Sequence, residues 1–241
     1  MKVRMYNVGF GDCFCLRDRK KSLLVDFGTN NSRIEGRPRR EIFDVIISDL
    51  STIKSKNLLL THFHMDHLSG LLYMMKKKDI SVDFGKIYLP DVFSKKEMSR
   101  TLVLLLLADL LKESGLPSRQ VSLFALVDAL LENKQNVELL SRGKLFENKY
   151  QALWPDTDVI RKETDEVYNR ICEDGKFKEV MDVLLEFAEK LRLIVWSMTA
   201  EGNKPAETVE KETDLTASEL TEQPEAVSYT HLRAHETRSN L

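Results

Sequence analysis

Short apolar runs alternate with turns and charged stretches over the first 90 residues. Residues 2–6, KVRMY, alternate with the period of two that marks a half-buried strand. They run into NVGFGD, where Gly9 and Gly11 signal a tight turn. CFCL and SLLVDF read as a second and third strand, with RDRKK as the charged hairpin between them. GTNNSRIEGRPRR is a long polar loop. In residues 41–53, Ile42, Phe43, Val45, Ile46, Ile47, Leu50 and Ile53 fall at helical spacing. NLLL is a short buried strand, and HLSGLLYMMKKK is a helix whose closing lysines suit the negative end of its dipole. KIYLP is a further strand. Residues 94–114 and 117–133 then predict two amphipathic helices split by SGLPS. NVELLS and YQALWP read as strands, and residues 159–173 and 176–198 return to helix. No internal repeat interrupts this order.

Composition narrows the class. With 42% apolar and 31% charged residues, the 241-residue chain is expected to be mostly globular. A net charge of −2 gives no general electrostatic case for nucleic acid or an anionic membrane; nucleic acid stays open as a partner only through a local basic patch. The longest apolar run, Leu102 to Leu111, is about half the ~20 residues of a membrane span and contains Asp109. The opening residues lack the apolar core of a secretory signal, and three cysteines make no disulfide framework. A cytoplasmic protein without membrane attachment is expected. Cys13 and Cys15 stand two apart, either as buried thiols or as a Cys-x-Cys metal contribution.

The character changes near residue 200. Residues 1–200 are expected to form the folded part, with its helical section at about 94–133. Glu201 to Ala226 carry 8 acids, 2 lysines and almost no large apolar residue, as flexible segments do. Val227 to Leu241, VSYTHLRAHETRSNL, resemble a translated sequencing-library adaptor, so an artefactual tail is expected there, with the natural gene continuing past Ala226.

The chemistry concentrates in THFHMDHLSG, Thr61 to Gly70. Imidazole and carboxylate are both good ligands for zinc, manganese or iron. In an extended segment residues two apart point the same way, so His62 and His64 can share one ion while Phe63 and Met65 pack behind. Asp66 and His67 fall where the chain enters the next helix, which can swing them to a second ion. Gly70 allows close backbone approach.

This stretch resembles the Thr-His-x-His-x-Asp-His-x-x-Gly signature of the metallo-beta-lactamase superfamily. YNVGFGDCFCL resembles the DVGQGDA opening of the branch that includes the hydrolase domain of competence proteins, and LLVDFG resembles the LLIDTG strand before the metal loop. The resemblance covers about residues 2–90. It implies an α/β fold, the N-terminal part of an αββα sandwich with a helical insertion, whose second half is expected beyond the end of this chain. It implies two zinc ions, with manganese or iron as alternatives: His62 and His64 on the first, Asp66 and His67 on the second. Asp66 would also be the catalytic carboxylate. Asp26 and Thr61 would support the ligands, and Gly9, Gly11 and Asp12 would shape a loop beside the site.

Asn7 and Phe10 depart from the branch motif, where Asp and Gln are usual. The larger departure is an absence: no third histidine, bridging aspartate or final histidine follows, apart from His231 and His235 in the adaptor-like tail. Asp91, Asp156 and Asp158 are the carboxylates that might substitute, although each also reads as a turn or loop residue. The activity implied is metal-assisted hydrolysis of a phosphoester or other small-molecule substrate. A thioester, lactone or β-lactam hydrolase and a non-catalytic binding module are the alternatives. Arg33, Arg37, Arg39 and Arg40 could meet phosphate if their loop lies at the site mouth.

Overall fold

The alternating segments pair into one sheet. In the computed structural model, which describes residues 1–18, 21–77, 83–113 and 123–202, the chain opens with β1 (Lys2–Met5), β2 (Phe14–Asp18) and β3 (Lys21–Val25). A small hairpin, β4 (Arg33–Ile34) and β5 (Arg37–Pro38), leads into α1 (Arg39–Ser51). Next come β6 (Ser55–Leu59), α2 (Met65–Lys76) and β7 (Ile87–Pro90). After a 3-10 turn at Lys96–Met98 the chain forms α3 (Ser99–Glu113), α4 (Leu123–Glu132) and β8 (Val137–Leu140). A second hairpin, β9 (Leu145–Phe146) with β10 (Tyr150–Gln151), precedes α5 (Thr157–Glu173) and α6 (Lys178–Ser197).

The six-stranded sheet has the order β1-β2-β3-β6-β7-β8. The first three strands are antiparallel, and β3, β6, β7 and β8 run parallel. The change follows from the connections. Tight turns return the chain beside itself, whereas a parallel neighbour needs a crossover, supplied between β3 and β6 by the β4–β5 hairpin and α1. This mixed α/β arrangement is the N-terminal part of the expected sandwich.

Strand alternation sorts the side chains onto two faces. Cys15, Leu24, Leu58, Ile87, Leu89 and Leu139 point to the helical side and are buried there. α1 meets them with Ile42, Phe43, Ile46, Ile47 and Leu50. Each such side chain stabilises the fold by about 1.5–3 kcal/mol relative to exposure. The section expected to be helical from residue 94 packs into the same core: Leu102, Val103 and Leu106 of α3 are fully buried. That is ordinary packing rather than a lid. The opposite face carries Leu16, Leu23, Val25, Leu59, Tyr88 and Leu140, with Phe146 of the β9–β10 hairpin packed on one part of it. Toward β1 this face is open, and Val3 and Met5 are 57% and 71% exposed.

Several boundaries differ from expectation. The polar loop at residues 28–40 contains the β4–β5 hairpin, whose two-residue strands are too short for a periodic pattern. YQALWP supplies strand only at Tyr150–Gln151. α2 begins at Met65, two residues earlier than the periodicity predicts, so Asp66 lies in its first turn. The turn of RDRKK, the SGLPS break, and the acidic and adaptor-like segments fall outside the described residues. No helix among the described residues is long and apolar enough to cross a membrane.

Candidate metal centre

Three loops at the end of the sheet build the site. The first follows β1 and carries Asp12. The second leaves β3 at Asp26. The third leaves β6 and becomes α2, carrying Thr61, His62, His64, Asp66 and His67. The parallel pairing Val25↔Leu59 sets the second and third side by side. The backbone N–H of Asp26 donates to the Leu59 carbonyl at 2.8 Å, and that of Phe27 donates to the His67 carbonyl at 2.7 Å.

Glycines let the loops approach. A Cβ on Gly11 would lie 2.3 Å from the Gly28 carbonyl oxygen and 2.7 Å from that of Asp66. One on Gly28 would lie 2.6 Å from the Leu68 nitrogen. Those neighbours are backbone and cannot yield as a side chain would. Gly70 does the same under the Phe27 ring, as its position in the motif suggests. Gly9, at φ +70°, turns the first loop against Asn31 and Ile34.

Asp26 organises the ligands. It sits in the left-handed region at φ 54°, a conformation that Asp tolerates better than most residues. Its Oδ1 accepts from the Thr61 backbone N–H at 2.8 Å. Its Oδ2 accepts from the Thr61 hydroxyl at 2.7 Å and contacts His67 Nδ1 at 2.9 Å. Since the carboxylate has no proton to give, His67 Nδ1 must be the donor, which leaves a lone pair on Nε2. The same bookkeeping extends to His62. The Thr61 hydroxyl spends its one hydrogen on Asp26, so at 3.0 Å it accepts from His62 Nδ1. His62 Nε2 therefore also keeps its lone pair. One carboxylate thus sets both tautomers, the usual office of a group behind a metal-binding histidine.

The ligand atoms of His62, Asp66 and His67 all lie within 4.8 Å of one another. The His62 and His67 ring centroids are 3.7 Å apart, and those of His62 and His64 are 4.6 Å apart. His64 stands just before α2, beside the triad but outside it. Burial, reinforced by His67 and His64, holds the His62 imidazole below its ordinary pKa, so it is neutral and ready to ligate. Burial acts the same way on His67. There the hydrogen bond and charge of Asp26, joined by Asp66 and Asp12, outweigh it and raise the pKa. Three carboxylates converging on a buried imidazole, with two lone pairs presented, suit a divalent cation in both charge and donor type.

The other candidates resolve differently. Phe63 is buried, as the alternation requires. Cys13 and Cys15 are buried free thiols. Asp156 caps α5 by accepting from the Asp158 and Val159 amides and pairs with Arg142. Asp91 accepts from the backbone and hydroxyl of Ser94. His231 and His235 lie outside the described residues. Sequence reasoning missed Thr29 and Ser69. The Ser69 hydroxyl donates to the Thr29 carbonyl at 3.0 Å and accepts from its N–H at 2.9 Å, tying the second loop to α2. Two polar residues beside apolar runs gave no periodic signal.

Comparison with known proteins agrees with this geometry. Residues 6–91 match the family model of the metallo-beta-lactamase superfamily. The matched segment belongs to that superfamily. It holds every residue of the metallo-beta-lactamase site described above. The chain is also 32% identical over 77 residues to Endoribonuclease YSH1 of Mycosarcoma maydis, a stretch that spans 32% of this chain and 8% of that protein. No solved structure matches the chain.

Proposed function

We propose that the chain carries part of the active centre of a metal-dependent hydrolase acting on phosphoester bonds. The observation that carries this reading is the Asp26 relay, which presents Nε2 of both His62 and His67 toward the Asp66 carboxylate. His62, His64, Asp66 and His67 would hold the metal. A bound zinc, manganese or iron ion supplies Lewis acidity, polarising a phosphoryl oxygen and activating water at neutral pH. Asp66, 19% exposed at its side chain, would orient that water and accept its proton. Asp26, at only 4% side-chain exposure, holds the imidazoles in place and takes no part in proton transfer to solvent.

Two observations favour a phosphoester. One is the likeness to an endoribonuclease, whose substrate is a phosphodiester. The other is the position of the arginines. Ile34 packs beside Gly9, and Asn7 Nδ2 donates to Glu35 Oε1 at 2.7 Å, so the β4–β5 hairpin lies along the loop that carries Asp12. Arg33, Arg37, Arg39 and Arg40 are all exposed on it and on the first turn of α1. Cations at a helix N-terminus oppose the macrodipole, so Arg39 and Arg40 do not serve the helix; a polyanionic substrate would account for them. The three free cysteines support a cytoplasmic setting.

The test is hydrolysis of a phosphodiester panel, including single-stranded RNA, alongside thioester, lactone and β-lactam substrates. Chelator should abolish phosphodiester turnover, manganese or zinc should restore it, and His64→Ala should lower it at least tenfold. Turnover that resists chelation would sink the metal reading. Turnover confined to thioesters, lactones or β-lactams would move the substrate class.

A further inference from the structure

We propose that Asp12 is a direct ligand of the ion held by Asp66 and His67, so that this chain supplies three protein ligands to one metal position. The inference rests on the metal reading above and adds a residue that the superfamily signature does not supply.

The backbone aims Asp12 at the site. Its N–H donates to the Asp66 carbonyl at 3.2 Å, and its own carbonyl accepts from the Gly28 N–H at 3.2 Å. Both neighbouring loops thus grip the residue, and Gly11 allows the contact by lacking a Cβ. The side chain meanwhile has no hydrogen-bond donor among the described residues. Its Oδ2 stands 3.7 Å from His67 Nε2, and Asp66 Oδ2 stands 3.6 Å from the same atom.

Those two distances carry the argument. Both exceed a good N–H···O hydrogen bond, which ends near about 3.2 Å. His67 Nε2 also has no proton to donate, because Nδ1 holds it against Asp26. Two oxygens facing a lone pair at that range would repel one another and the nitrogen unless a cation came between them. Ligands on arms of about 2.1 Å in a tetrahedral shell stand about 3.4 Å apart. The observed 3.6 and 3.7 Å fit two edges of such a shell sharing the vertex His67 Nε2. His67 itself is 8% exposed, so the lone pair is buried and directed into this space.

Three protein ligands with a position left for water is the composition of a catalytic centre rather than a transient surface site. The donor set is two carboxylates and one imidazole. That is harder than a histidine-rich set and suits manganese(II) better relative to zinc. A cleft of about 350 Å³ runs along the Met5–Phe14 segment with Asp12 in its wall, giving the open position an approach from solvent.

The experiment is metal binding by the full chain, followed by calorimetry and by the electron paramagnetic resonance of manganese(II). Wild type, Asp12→Ala and Asp12→Asn are compared, with circular dichroism to confirm an unchanged fold. Loss of a group that merely supports a ligand lowers affinity about 10–100-fold. Asp12→Ala should therefore weaken manganese binding by at least tenfold and alter the spectrum of what remains bound. Asp12→Asn, which keeps an oxygen at the same reach, should recover part of the affinity. If both variants bind as wild type does with an identical spectrum, Asp12 is not a ligand and the metal reading survives. If wild type takes up no ion, the metal reading fails and this inference fails with it. Should Asp12→Ala misfold, Asp12→Asn alone decides between the first two outcomes.

Discussion

Asp26 is the residue on which the site depends most. It accepts from the Thr61 amide, the Thr61 hydroxyl and His67 Nδ1, and through Thr61 it also orients His62. Asp26→Ala removes all of these at once and leaves both imidazoles free to choose the wrong tautomer. Metal affinity should fall about 10–100-fold, as measured by competition with a chelator of known strength; an affinity within twofold of wild type would refute the relay. His67 gives a second prediction. In the metal-free chain the fold raises its pKa. That contribution to stability is fully present below the ordinary imidazole value of about 6.5 and is lost as pH rises through the raised value. An ion on Nε2 competes with the same proton, so metal affinity must run the other way and increase with pH over that window. Calorimetric titrations at about pH 6 and about pH 8 check the sign; a flat profile would show that His67 does not ligate.

At the scale of elements, the close contact of loops decides whether a site exists at all. Gly28→Ala would force a methyl group to within 2.6 Å of the Leu68 nitrogen at the start of α2. Overpacking of this kind costs about 1–3 kcal/mol. A lower midpoint in urea unfolding together with weaker metal binding is expected, and an unchanged midpoint would mean the loops yield more readily than their backbone contacts suggest. Much of this level was legible beforehand. Strand alternation announced β1 to β3, helical spacing announced α1, and the histidine spacing located the ligands at the passage from β6 into α2. The β4–β5 hairpin escaped because two residues per strand carry no period. The lock between Thr29 and Ser69 escaped because neither residue type is distinctive without its partner. Asp12 was legible as a loop residue, while its distance to His67 depends on how two remote glycines meet, which no local pattern encodes.

The whole molecule shows a marked asymmetry between the faces of its sheet. The helical face is sealed by five buried residues of α1 and by α3. The other face is apolar but, toward β1, open, with Val3 and Met5 largely exposed on an edge strand. Exposed apolar surface next to unpaired backbone groups favours association. The chain should therefore bind a hydrophobic dye and elute as higher oligomers. The double variant Val3→Thr with Met5→Lys should shift it toward monomer in light scattering. A monodisperse wild-type monomer that ignores the dye would contradict this.

The parallel pairing of β3 with β6 has a consequence in time. Asp26 and Thr61 meet only when these strands align, and 29 residues lie between Val25 and Ser55. Pairing across such a crossover is slow compared with the local hairpins of β1 to β3. An unfolded chain therefore offers metal only loose, unoriented histidines. If β3 and β6 dock after the rate-limiting step, added metal should leave the folding rate nearly unchanged and slow unfolding instead, so that the ion acts as a late latch on a finished sheet.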